Sequence, residues 1–289
     1  MKFLSILLSF FGLASAGGEL IKRQPKVPAT DEQWQSLVDY AGYPGISGIL
    51  AERNCTTASN GATLLKYIDI KETDTQAAIW KHEATREIVL GLPGTATNRD
   101  WLTDFAAFLV PYVSSRVSCP STCRVHFGFL LAWYSLAPKV EEELAKALAD
   151  NPGYTTVISG HSLGGALATL AFGTLINGPY NVTRVYTYGQ PRVGNQDTVN
   201  YLDGLAGASD SNPGMIMRAT HADDGVPRLP PLSFHYVHTR TEYWEMATVA
   251  AKNSTYRCFG QEPEDCIAST EFAINESHST YAGFGTTCV

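Results

Sequence analysis

The segment Gly160-His161-Ser162-Leu163-Gly164-Gly165 has the form Gly-x-Ser-x-Gly. A serine in this pattern serves nucleophilic chemistry when it sits on a sharp turn between a strand and a helix. The flanks supply both elements. Thr155-Thr156-Val157-Ile158-Ser159 is short, β-branched and apolar, and Ala166-Leu167-Ala168-Thr169-Leu170-Ala171-Phe172 is rich in helix formers. Glycine on either side of the serine keeps crowding side chains out of the turn. The amide of Leu163 opens the helix and is placed to bind an oxyanion.

A serine hydroxyl is a poor nucleophile at neutral pH. It needs a histidine base, and the histidine needs a carboxylate to set its tautomer and stabilise its charge. On a strand-turn-helix elbow of this kind the partners follow in the order serine, acid, histidine. His82 and His126 precede the serine, and His161 is its neighbour, so its side chain is expected to leave the turn in another direction. His221, His235, His238 and His278 remain. For the acid, Arg218-Ala219-Thr220-His221-Ala222-Asp223-Asp224-Gly225-Val226-Pro227 ends an apolar strand in a loop with two carboxylates. Catalytic groups collect at such carboxyl ends, and the chemistry leaves Asp223 and Asp224 both open. His278 lies in a polar loop near the C-terminus, whereas His235 and His238 lie in an aromatic stretch, Phe234 to Trp244, that reads as packing.

The elements that must position these groups alternate. Asp31 to Tyr40 reads as a capped helix start, and Thr63 to Ile70 and Glu87 to Leu90 as strands joined through a polar, hairpin-like stretch. Trp133 to Ala149 has helical spacing, with Pro138 expected to kink or interrupt it. After the elbow, Arg184 to Tyr188 and Met215 to Thr220 read as strands and Gln196 to Leu205 as a helix. Alternation of this kind implies an α/β fold, with a mainly parallel central sheet and helices on both faces, in a single domain.

The chain has 289 residues, 44% of them hydrophobic and 17% charged, with a formal net charge of −7. That composition suits a globule with a substantial core. An acidic chain without basic clusters argues against nucleic acid and against docking on anionic membranes. Residues 1–16 read as a secretory signal: Lys2, an apolar run from Phe3 to Ala14, and the small residues Ala14-Ser15-Ala16. Residues 17–23 end in Lys22-Arg23, a dibasic processing site, so the mature domain is expected over 24–289. No later segment is long and apolar enough to span a bilayer.

Secretion points the six cysteines toward disulfides. Cys119 with Cys123 and Cys258 with Cys266 could each close a small loop, leaving Cys55 with Cys288, though spacing does not fix the pairing. The spacings lack the paired ligands of a zinc site. Asn54, Asn181, Asn253 and Asn275 head glycosylation sequons, Asn54 beside a cysteine and Asn275 close to a candidate histidine.

Four stretches carry a resemblance to the filamentous-fungal class 3 lipases, a family that also contains the type-A feruloyl esterases. They are Gly94-Thr95 with Asn98-Arg99-Asp100-Trp101-Leu102-Thr103-Asp104; the elbow around Ser162; Tyr188-Gly189-Gln190-Pro191-Arg192-Val193-Gly194-Asn195; and Thr220 to Pro231. The resemblance covers nearly all of residues 24–289 and implies the α/β-hydrolase fold. It matches the family's acid to Asp224 and its histidine to His278, and it implies the pairs Cys55–Cys288, Cys119–Cys123 and Cys258–Cys266. It places a second oxyanion donor at Thr95. Trp101, Leu102, Phe105, Ala106 and Leu109 recur at helical spacing, and the resemblance makes residues 97–109 a lid. Its equivalent in the feruloyl esterases is more polar, so Trp101-Leu102 favours a lipase. The resemblance thus implies a secreted serine ester hydrolase, foremost an acylglycerol lipase acting at an oil-water interface. The chain is expected to be a monomer, though the sequence says almost nothing of oligomeric state. A feruloyl-type esterase of the same fold is the alternative, and a catalytically silent lipid-binding homologue a third reading. No metal or organic cofactor is called for.

Overall fold

The computed structural model describes residues 25–58, 60–94 and 108–285. In chain order its elements are β1 (Val27–Pro28), α1 (Asp31–Ile49), β2 (Thr63–Ile70), β3 (Thr75–His82), β4 (Glu87–Leu92), β5 (Leu109–Pro111), β6 (Arg124–His126), α2 (Phe127–Asp150), β7 (Thr155–His161), α3 (Leu163–Leu175), β8 (Val182–Tyr188), α4 (Gln196–Ala206), β9 (Ile216–His221), β10 (Glu242–Glu245) and β11 (Thr255–Arg257).

A nine-stranded sheet runs in the order β1-β11-β10-β9-β8-β7-β4-β3-β2. Its centre, β4-β7-β8-β9-β10, is parallel. Its margins, β2-β3-β4 and β10-β11-β1, are antiparallel. The mixed, mostly parallel centre follows from burial on both faces. Along β7, Val157 points into a core shared with Leu37, Ala41 and Ile46 of α1, and Ile158 points into a core shared with α2 and α3. A strand covered on both sides reads as a continuous apolar run. Helix α3 is buried from Gly164 to Leu175, which explains why it is apolar all round.

Two local expectations are corrected. The stretch between β2 and β4 contains a full strand, β3, which pairs with both and buries Ala77, Ala78, Ile79 and Trp80. Its alanines and glutamine are weak strand formers, and pairing on both edges overrides that preference. Helix α2 runs unbroken through Pro138. The proline faces solvent, while Trp133, Leu136, Val140 and Leu144 on the other face are fully buried. Anchoring of that face offsets a helix cost of about 3 kcal/mol.

Cys119 is bonded to Cys123 and Cys258 to Cys266. Cys55 is also disulfide-bonded; its expected partner Cys288 lies outside the described residues, as do the segments read as signal and propeptide, Thr95, and the expected lid residues Trp101, Leu102 and Phe105. Among the described residues, no helix is long and apolar enough to cross a membrane.

Candidate active site

Strand β7 ends at His161 and α3 begins at Leu163, so Ser162 is the whole turn between them. Its backbone is at φ 54° and ψ −123°, a region that L-residues occupy only under constraint. The constraint is visible. Ser162 N–H donates to the Tyr188 carbonyl at 2.9 Å, and Gly165 N–H to the Ser162 carbonyl at 2.9 Å. A Cβ on Gly160 would lie 2.1 Å from the Gly164 carbonyl oxygen, and one on Gly164 would lie 2.0 Å from that of Leu92. The Leu163 amide stands at the N-terminus of α3, where unpaired N–H groups and the helix dipole favour negative charge. Gly94 closes on the serine from the end of β4: a Cβ there would come within 3.1 Å of Ser162 Cβ. The chain leading to Thr95 therefore passes beside the elbow.

Asp224 follows β9 and is fully buried. Its Oδ2 accepts from His278 Nδ1 at 2.9 Å and from the Tyr281 hydroxyl at 2.6 Å, and its Oδ1 accepts from Val226 N–H at 2.9 Å. His278 lies in a 3-10 turn, Glu276–Ser279, with its side chain 17% exposed. With Nδ1–H given to the carboxylate, Nε2 is left with a lone pair to accept a proton. Gly189, at φ 59°, lies against this pair, and a Cβ there would come within 2.8 Å of His278 Cε1.

His161 does leave the serine turn, and its Nε2–H donates to the backbone carbonyl of His278 at 2.7 Å. Burial pushes the His161 imidazole down to about 3, so it is neutral and keeps the N–H on that nitrogen. The serine's neighbour thus holds the far side of His278, joining the elbow to the histidine turn. Among the described residues, the Ser162 hydroxyl makes no hydrogen bond; contacts of this kind commonly tighten only when substrate is bound.

The other candidates separate cleanly. His238 is buried with Nε2 on the Pro227 carbonyl at 2.6 Å, and His235 is exposed. His221 is buried with its ring nitrogens 3.0 Å from the carbonyls of Ser277 and Ala247. Asp223 turns away from His278 toward Ser277 and Asn275. Of the two acids left open by sequence chemistry, Asp224 is the one that meets a histidine. Glu242, Cys258 and Cys266 converge, but the two sulfurs are joined to each other and offer no thiolate to a metal.

The role of His161 was missed because its contact spans 117 residues and nothing local signals it. Nothing local marks Tyr281 either; its hydroxyl donates to Asp224 Oδ2 across 57 residues of chain.

The model of the family described as Lipase (class 3) matches residues 89–234. A secreted mono- and diacylglycerol lipase 1 of Fusarium solani is 38% identical over 173 residues, which cover 60% of this chain and 48% of that protein. The chain therefore spans about half the length of that curated relative. A lipase of Rhizomucor miehei is 30% identical over 281 residues, covering 89% of this chain and 71% of that protein. Among solved structures, a lipase from Rhizopus microsporus var. chinensis superposes with a TM-score of 0.77 at 27% identity, covering 90% of this chain and 91% of that one.

Proposed function

This chain belongs to the class 3 lipase family, and from that premise we propose that it is a secreted serine hydrolase of acylglycerol esters. The observation that carries the reading is the Asp224–His278 pair at 2.9 Å beside an elbow serine in a constrained backbone. Ser162 attacks the ester carbonyl. His278 Nε2 takes the hydroxyl proton and passes it to the departing alcohol, while Asp224 holds Nδ1 and stabilises the imidazolium. The Leu163 amide and Thr95 receive the charge on the carbonyl oxygen, a donor each, with one such donor worth about 2.7–4 kcal/mol in the transition state. Water then cleaves the acyl-enzyme by the same route in reverse.

The substrate is met at a lipid-water boundary, with residues 97–109 as an apolar lid carrying Trp101, Leu102 and Phe105. Phe108, near the C-terminal end of that segment, is 66% exposed, and its carbonyl accepts from the N–H of Phe127, itself exposed. Exposed apolar side chains at the foot of a lid suit a lipid contact. Secretion agrees with the Fusarium relative, which is a secreted lipase. Asn54, Asn181 and Asn253 are exposed and suit glycans.

Hydrolysis rate against concentration of a short-chain triacylglycerol, taken through its solubility limit with methyl ferulate and a Ser162→Ala control in parallel, tests the reading. A rise in rate once droplets form, abolished in the variant and with little ferulate cleavage, is expected. Smooth saturation with strong ferulate turnover would make this an esterase of the same fold.

A further inference from the structure

We propose that Asp223 and Asn275, with His221, form a clasp that sets the position of the catalytic histidine, making Asn275 a positioning residue. The clasp rests on the ester-hydrolase reading, since it acts through His278.

Ser277, the residue before His278, has all three of its polar groups fixed. Its N–H donates to Asn275 Oδ1 at 2.9 Å, its hydroxyl to Asp223 Oδ1 at 2.6 Å, and its carbonyl faces His221 Nδ1 at 3.0 Å. Asn275 Nδ2 donates to the other oxygen of Asp223 at 2.7 Å. The Asp223 carboxylate is thus fully engaged by the histidine turn, and the Ser277 hydroxyl holds it below the usual carboxylate range. His221 stands between the Ser277 and Ala247 carbonyls, 3.0 Å from each, and an imidazole with one N–H donates to one of them. Gly225 N–H donates to the Ala273 carbonyl at 2.7 Å, stitching the same two loops at their base.

The two adjacent acids therefore divide the work. Asp224 holds the imidazole ring, and Asp223 holds the backbone that carries it. Short rigid contacts of this kind matter because a misplaced base loses rate without losing binding. Asn275 also heads a sequon, yet its acceptor nitrogen and the sequon hydroxyl of Ser277 are both committed to Asp223.

The geometry permits a sharp test. Asn275→Asp sets carboxylate against carboxylate with no donor between them. Asp223→Asn is milder, since its amide can turn its oxygen to Asn275 Nδ2 and its nitrogen to the Ser277 hydroxyl, which can accept. Asp223→Asn with Asn275→Asp reverses donor and acceptor and restores every bond. Full-length wild type, Ser162→Ala, both single variants and the double variant are compared on a soluble p-nitrophenyl ester, with melting temperatures alongside. Asn275→Asp is expected to lose about tenfold or more in kcat with KM nearly unchanged, Asp223→Asn less, and the double variant to recover to within about threefold of wild type. The sequon is absent from both Asn275→Asp proteins, so a glycan does not account for recovery. A double variant no better than Asn275→Asp, or Asn275→Asp with wild-type kcat, overturns the clasp. If a single variant does not fold, the double variant decides. The downfield proton resonance of His278 Nδ1–H reports the same pattern without turnover, lost in Asn275→Asp and restored in the double. A wild type no faster than Ser162→Ala would instead remove the ester-hydrolase reading, with the resonance still deciding the clasp.

Discussion

Tyr281 and His278 donate to the same carboxylate oxygen, Asp224 Oδ2, at 2.6 and 2.9 Å. The tyrosine is buried, which holds its hydroxyl protonated well above the usual range and keeps it a donor. It therefore orients Asp224 rather than exchanging protons with it. Tyr281→Phe is expected to lower kcat about tenfold, the effect of one hydrogen bond to a charged group. Asp224→Asn, which offers Nδ1 the wrong tautomer, is expected to lower kcat on the order of 10⁴-fold. Steady-state kinetics on a soluble ester separate the two, and a Tyr281→Phe enzyme faster than wild type would sink the orienting role.

The elbow leaves no room for a methyl group. At Gly160 and Gly164 a Cβ would meet backbone oxygens at 2.1 and 2.0 Å, and backbone cannot swing aside as a flexible side chain can. Gly160→Ala and Gly164→Ala are each expected to cost more than about 4 kcal/mol, seen as lost expression yield or a collapsed melting temperature. Gly204→Ala is the control, because its Cβ would meet nothing within 4 Å. Equal behaviour of the three would refute the steric account.

What could be read from the chain was whatever rests on local chemistry. The elbow needs a strand, three small residues and a helix in succession, and those are contiguous. The order serine, acid, histidine narrowed the candidates, and the structure joins Asp224 to His278. Strand β3 escaped because Ala77 and Ala78 are strand residues only by virtue of their neighbours on both edges. Pro138 misled because its cost is local while the compensation, burial of Trp133 and Val140, is tertiary. Asp223 meets the Ser277 hydroxyl across 54 residues of chain and His161 meets the His278 carbonyl across 117, and no periodicity records such contacts.

Buried titrating groups set opposing pH dependences. Burial raises Glu245 to about 7 and Asp203 to about 6. Both are neutral in either state at low pH. As pH rises past the ordinary carboxylate range, the unfolded chain releases these protons first, so stability is lost through about pH 7. His126 and His161 are pushed down to about 4 and 3. Their contribution is complete above the ordinary histidine range and is lost as pH falls toward those values. Glu245→Gln is therefore expected to gain on wild type in melting temperature between pH 5 and pH 8. His126→Asn, which can still cap Phe129 N–H, is expected to gain on wild type between pH 7 and pH 4.5. Parallel wild-type and variant curves would remove the assignment.

Arg218 and Glu242 form an ion pair at 3.3 Å with both side chains essentially out of solvent. Its two halves are not equally provided for. Glu242 Oε1 also accepts from the Thr220 hydroxyl at 2.6 Å and from Ile267 N–H at 3.1 Å. Arg218 Nε and Nη1 have no hydrogen-bond partner among the described residues. Removing the glutamate strands a buried guanidinium, whereas removing the arginine leaves a carboxylate with two donors. Glu242→Ala is thus expected to cost about 3–5 kcal/mol, Arg218→Met clearly less, and a double replacement by apolar residues little. Because Arg218 sits on β9, six residues before Asp224, the effect belongs to stability, and kcat of Arg218→Met should stay within about threefold of wild type. Denaturant titrations decide the order; a larger loss for Arg218→Met than for Glu242→Ala would show that the arginine has partners enough and that this asymmetry is wrong.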